Sequence, residues 1–197
     1  MGLLHPNFRT DYDHFCGSPL APIELIQYGD FQCEYCAESY PLIKYLQDAF
    51  GDMLKFVYRH YPIPTRHPLS LEAAVATEAA ALQGKFWHMH DMIYENQKYL
   101  CRASFSQFAR EIDLDIQAFQ DCREHRKLFH KVISDFEGGV KSGVDASPTF
   151  FINGSRYDGF DDFDSLYLAC QNANQFEDNR KANKGQKMSD NYFIGRF

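Results

Sequence analysis

The chain has no basic block before its last thirty residues. Lys and Arg number 20 against 27 Asp and Glu, and the formal charge is −7. Proteins that bind nucleic acid generally neutralise phosphates with clustered Lys and Arg, so a nucleic-acid partner is not expected. No apolar run approaches the roughly 18 residues of a membrane span, and the first residues, "MGLLHPNFRTDYDHFCGSPLAP", hold no signal-peptide core. The sequence as given is therefore expected in the cytoplasm, or outside it if the N-terminus was trimmed. Pro6 stands where a myristoylation signal wants Ser or Thr. Internal repeats are missing too. The six cysteines, at 16, 33, 36, 101, 122 and 170, are too scattered for the dense disulfide framework of a small secreted scaffold. Only Cys33 and Cys36 share a short spacing.

What the chain does have is apolar bulk. Its 197 residues are 45% hydrophobic and 16% aromatic, enough to fill the core of one globular domain. "PIELIQYGDF" is short, apolar and β-leaning, and predicts a buried strand ending near Asp30. A helix should follow, with Cys36, Tyr40, Leu42, Ile43, Leu46, Ala49 and Phe50 on a broad apolar side and a kink at Pro41. "MLKFVYRHYP" predicts a second strand, Leu54, Phe56 and Tyr58 alternating with Lys55, Val57 and Arg59.

From residue 68 to 139 the pattern is helical. Pro68 suits a first helical position and Gly84 punctuates. Ser104 is the expected cap of "FSQFAREI", and Asp115 that of a long stretch carrying Ile116, Phe119, Cys122, Phe129, Val132, Ile133 and Phe136. "SPTFFINGSRYDGF" reads as strand, Asn-Gly turn, strand, and "DDFDSLYLACQ" as a helix with Phe163, Leu166, Tyr167 and Cys170 inward. The expected divisions are an extension at 1–21, a βαβ unit at 22–67, a helical insertion at 68–139, a ββα unit at 140–172 and a polar tail at 173–197. The tail ends in "YFIGRF", whose aromatic residues are expected to dock on an apolar groove.

The chemistry rests on "FQCEYC". A cysteine at a helix start meets unpaired N–H groups and the positive end of the helix dipole, and both favour the thiolate. Cys33 is so placed, and Cys36, one turn deeper, can resolve a mixed disulfide formed at Cys33. A closed zinc site needs about four ligands, and no second Cys-x-x-Cys or spaced His pair supplies the rest. No metal and no other cofactor is expected. The His pair of "HMH" at 88 and 90 points to different helix faces and reads as packing or surface. Cys122 and Cys170 read as buried, inert thiols.

"FQCEYC", "QGKFWHMHDMIYENQ" and "GVDASPTFFINGSRYDGF" together resemble the DsbA-like thioredoxin-fold family, over roughly residues 22–172. The resemblance implies an α/β thioredoxin fold with an inserted all-helical domain. It implies disulfide exchange with Cys33 as nucleophile and Cys36 as resolving thiol. It also makes Pro148 a cis proline against the pair, with Ser147 in the substrate-contact place. Expected partners are protein or small-molecule disulfides and dithiols, with a thiol electron donor or acceptor. Residues expected to tune the pair are Gln27, Asp30, Glu34 and Tyr35. Gln27 stands where thioredoxin-like enzymes often carry a buried acid, Asp30 can substitute for that acid, and the Glu34 carboxylate opposes a Cys33 thiolate. A second reading has a different class: a binding module that presents the Pro148 surface and the aromatic tail to a partner protein, with the pair only sensing redox state.

Overall fold

The computed structural model describes residues 3–123, 126–159 and 162–175. The expected tail therefore lies almost entirely outside the described residues. The elements are β1 (His14–Cys16), β2 (Ile23–Gly29), α1 (Glu34–Phe50), β3 (Leu54–His60), α2 (Ser70–Ala81), α3 (Phe86–Glu95), α4 (Arg102–Glu111), α5 (Ile116–Arg123), α6 (Arg126–Lys141), β4 (Thr149–Ile152) and β5 (Ser155–Arg156). A last helix, α7, covers 163–175. The strands form one mixed sheet in the order β1-β3-β2-β4-β5. β2 and β3 run parallel, with Leu25 opposite Phe56 and Gln27 opposite Tyr58, and the other pairings are antiparallel. A βαβ unit, a block of helices and a ββα unit around a mixed sheet make this a thioredoxin fold with a helical insertion.

The sheet is buried on both faces, which is why β3 contains no exposed residue. Ile23, Leu25, Phe56, Tyr58, Phe150 and Ile152 face the larger core, shared with α1, α2 and α3. Ile26, Tyr28, Val57 and Phe151 face a smaller one, closed by Leu4, Phe8, Tyr61 and Phe136. The alternation expected of β3 is present, but Lys55 and Arg59 are buried rather than solvated. Most of their partners come from residues the sequence assigned to an N-terminal extension. Lys55 Nζ reaches Glu24 Oε2 at 2.9 Å and lies 3.6 Å from the centre of the Phe8 ring. Arg59 satisfies its five N–H donors with the two Asp13 carboxylate oxygens (2.8 and 2.9 Å), the carbonyls of Pro6 and Asn7, and Tyr28 Oη. Residues 3–16 are thus part of the fold, adding the edge strand β1 and one wall of a core. Gly139 lets α6 close that side, since a Cβ there would meet the Tyr61 ring at 2.8 Å.

Other differences are local. The α1 stripe is narrower than expected: Cys36, Ser39, Ile43 and Leu46 are buried, Ala49 is exposed, and the helix runs through Pro41. α2 begins at Ser70, two residues after Pro68. α4 is capped by Cys101, not Ser104, which sits one turn in and accepts a hydrogen bond from the Cys101 N–H at 3.0 Å. Asp115 does cap α5, accepting from the Ala118 N–H at 2.9 Å. Phe129 and Ile133 on α6 are exposed. In α7, Leu166 and Cys170 are buried, and Tyr167 stacks on Phe50 with centroids 4.9 Å apart.

Asp13→Ala should be costly, because it leaves the Arg59 charge buried without a counter-ion. A loss of about 3–5 kcal/mol is expected in chemical denaturation. Lys44→Ala, which removes the half-exposed partner of Asp91, should cost under about 1 kcal/mol. Equal losses in the two variants would overturn this assignment of the Arg59 cluster.

Candidate active site

β2 ends at Gly29 and α1 begins at Glu34, so the turn 30–33 sits where the strand's end meets a helix N-terminus. Cys33 is the N-cap of α1. Both cysteines are buried free thiols, Cys36 completely. Asp30 ties the turn together. Its backbone N–H lies 3.5 Å from Cys36 Sγ, and its carbonyl accepts the Cys33 N–H at 3.1 Å. The Asp30 carboxylate is fully buried and gathers three donors at 2.8 Å: the N–H groups of Gln32 and Ile63, and His67 Nδ1.

The helical insertion holds the same turn from the other side. Gln97 Nε2 donates to the carbonyls of Phe31 (3.0 Å) and Cys33 (2.8 Å), while Gln32 Oε1 accepts the Leu69 N–H. Across the turn, the Ser147–Pro148 peptide bond is cis and the Ser147 carbonyl lies 3.1 Å from Cys33 Sγ. The Ser147 hydroxyl is buried without a hydrogen-bond partner.

The two thiols are driven apart electrostatically. Cys33 is lowered to about 6, chiefly because the Cys36 thiol donates to its sulfur; burial opposes this, and the N–H groups of Cys36 and Tyr35 add to it. Cys36 is pushed well above the ordinary thiol range by burial and by its neighbour Cys33. One sulfur is therefore a thiolate near neutral pH and the other a protonated thiol behind it. Of the residues expected to tune the pair, Asp30 is in contact with both cysteines through its backbone. Tyr35 acts through its N–H, its ring being exposed. Gln27 is buried one layer down, donating to Ser39 Oγ at 3.2 Å, and Ser39 Oγ in turn donates to the Cys36 carbonyl. Glu34 is exposed on the rim, and none of the strongest influences on Cys33 comes from it.

A groove of about 540 Å³ opens in front of Cys33, walled by Glu34, Ile63, Arg66, His67 and Ser147 among others. Gln97 has no place in the sequence reading, and the sequence assigns His67 no role. Each touches the turn across more than thirty residues of chain, a separation that no spacing rule reports. The remaining cysteines stand apart: Cys16 and Cys170 are raised by burial, to about 11 and about 12, Cys122 is partly rather than fully buried, and Cys101 is exposed. Of the "HMH" histidines, His90 is buried among Tyr58, Tyr94 and Trp87, and His88 is exposed. Among the described residues, no three His, Cys, Asp or Glu side chains are grouped so as to hold a metal ion.

A strand-turn-helix bearing a Cys-x-x-Cys pair, faced by a cis proline and overlaid by a helical insertion, defines the DsbA-like class of the thioredoxin fold. The family model for thioredoxin matches residues 9–171, and the chain belongs to that family. In fold it is similar to oxidised BdbD from Bacillus subtilis, with a TM-score of 0.76 and 18% identity over 88% of this chain and 97% of that one. It is also similar to the thiol-disulfide exchange protein alpha-DsbA2 from Wolbachia pipientis, with a TM-score of 0.74 and 20% identity over 84% and 88%. In sequence it is 40% identical over 171 residues to the Na(+)/H(+) antiporter NhaA 1 of Mycolicibacterium vanbaalenii. That match takes in 86% of this chain but only 28% of the antiporter.

The Cys33 shift gives the reduced protein a pH-dependent stability that the oxidised one lacks. A group lowered from 9.0 to about 6 contributes fully above about pH 9, and the contribution is lost as pH falls through 6. Cys36, raised in the fold, stays protonated in both folded and unfolded states through most of that window and opposes the gain only as pH nears 9. The melting temperature of the reduced form minus that of the oxidised form should therefore rise between pH 6 and 9. Thiolate absorbance should titrate near pH 6 and vanish in Cys33→Ser. A difference in melting temperature that stays flat over the window would contradict the assignment.

Proposed function

We propose that the protein is a thiol–disulfide oxidoreductase acting on protein or small-molecule disulfides and dithiols, with Cys33 as nucleophile and Cys36 as resolving thiol. The observation that carries this reading is the split of the two thiols across one helical turn, Cys33 facing a groove and Cys36 enclosed behind it. A substrate disulfide entering the groove meets the Cys33 thiolate, which attacks one sulfur and expels the other as a thiolate. Cys36 then attacks the Cys33 sulfur of the mixed disulfide, and the substrate leaves reduced. Run backwards, a substrate dithiol is oxidised and the pair is left as a dithiol. At pH 7 a thiol of pKa about 6 is about nine-tenths ionised, against about one-hundredth for one at 9.0. This stabilises the dithiol form of the pair and inclines it to oxidise substrates. Glu34, solvated on the rim, offsets little of that.

The Ser147 backbone beside Cys33 and the Pro148 that follows it are proposed as the substrate-binding edge. The antiporter name belongs to proteins most of whose length lies outside the match, and ion transport is not part of this reading. Among the described residues, no helix is long and apolar enough to cross a membrane.

Reduction of insulin driven by a dithiol should depend on Cys33. Cys36→Ser should accumulate mixed disulfides with substrate, visible by mass after acid quenching, while Cys33→Ser should trap almost none. Equal trapping would overturn the roles. Unchanged insulin reduction in Cys33→Ser would leave only the binding module.

A further inference from the structure

We propose that His67 is a catalytic residue of this site, moving a proton to and from the substrate sulfur in the groove, with Asp30 as the residue that positions it. The proposal rests on the exchange reading above. Three observations carry it. The His67 ring is fixed at one nitrogen, Nδ1, by the Asp30 carboxylate at 2.8 Å. That carboxylate is fully buried, whereas the imidazole is 23% exposed and lines the same groove as Cys33. Nε2 makes no hydrogen bond to any described residue. A buried carboxylate holding one imidazole nitrogen, with the other free in a groove that a reactive sulfur also lines, is the arrangement by which a histidine is oriented for proton transfer. The charged and titratable groups around it are Asp30 at Nδ1, and Cys33, Glu34, Tyr35 and Arg66 along the groove.

The chemistry needs such a group because Cys33 supplies no proton transfer of its own when it is the atom attacked. An ordinary thiol, with pKa about 8.5, is only about 3% thiolate at pH 7, and the thiolate is the nucleophile. With the pair oxidised, His67 Nε2 takes the proton of a substrate thiol as its sulfur attacks Cys33 Sγ. A bond forms between the two sulfurs, the Cys33–Cys36 bond breaks, and its electron pair goes to Cys36. The second substrate thiol then attacks the first substrate sulfur, giving the substrate disulfide and expelling Cys33 as a thiolate. Of the two protons, one ends on Cys36 and one leaves through His67 to solvent, while two electrons pass from the substrate to the pair. In the opposite direction His67 protonates the substrate thiolate expelled by Cys33.

The test compares two thiols reacting with the oxidised full chain at pH 7, with the initial rate followed by acid quenching and mass. One is an alkyl thiol of pKa about 8.5; the other is an aromatic thiol ionised below pH 6. His67→Asn keeps a donor near Asp30 and removes Nε2, and His67→Gln is the second variant. Both should slow the alkyl thiol by about 10- to 30-fold, the span set by its unionised fraction, and the aromatic thiol by less than about 2-fold. The Cys33 absorbance titration should stay in place. Equal slowing of both thiols, slowing of neither, or a Cys33 titration shifted enough to explain the rates would overturn the role. Failure of the exchange reading looks different, because the unsubstituted chain would then react with neither thiol through Cys33.

Discussion

A carboxylate taken out of water needs a full set of donors, and the one on Asp30 obtains them from places that would otherwise have no reason to meet. The Gln32 N–H fixes the turn into α1, the Ile63 N–H fixes the chain leaving β3, and His67 brings in the loop that leads to the helical insertion. Leaving such a group unsatisfied costs several kcal/mol, so the three contacts form together or the turn does not hold. The backbone of the same residue accepts from Cys33 and approaches Cys36, so the geometry of the thiol pair is set by where Asp30 sits. The groove follows from this, because Ile63, His67 and Cys33 all line it.

The helical insertion completes what Asp30 begins. Gln97 and Leu69 come from opposite ends of α2 and α3, and both bond to the four-residue turn. Without them the Phe31 and Cys33 carbonyls, beside an apolar ring cluster, would lack part of their hydrogen-bonding complement. The insertion is therefore part of the active-site scaffold as well as a cover over it. The sheet gives the opposite support. It buries β2 as far as Gly29, and the Arg59 cluster locks β3 to the N-terminal segment.

What could be read from the chain was what is local. β2, α1 and β3 follow from short apolar runs and helical spacing. The Asn153-Gly154 turn follows from residues that tolerate positive φ, and both adopt it. Cys33 at a helix start follows from the order strand, Cys-x-x-Cys, helical pattern. β1 was not legible, because three residues with no alternation carry no signal and owe their conformation to the free edge of β3. Arg59 in an apolar strand was visible, but its partner Asp13 lies 46 residues away, and nothing in either neighbourhood marks the pair.

The active site shows the same division, with a chemical consequence. Cys33, Cys36 and Pro148 belong to short motifs, and a motif reports which groups are present. It does not report how strongly the groups act, and Glu34 is the instructive case. Read from the sequence, a carboxylate one residue from Cys33 should oppose its thiolate. In the fold its side chain is in water, where a charge at several ångströms is worth about 1 kcal/mol or less, while the Cys36 thiol and two N–H groups bear directly on the sulfur. Sequence adjacency brings Glu34 forward and passes over His67 for one reason, because what governs a charge is its distance through low dielectric rather than along the chain. A residue thirty-four positions from Cys33 can therefore share its groove, held there by a carboxylate that no solvent reaches.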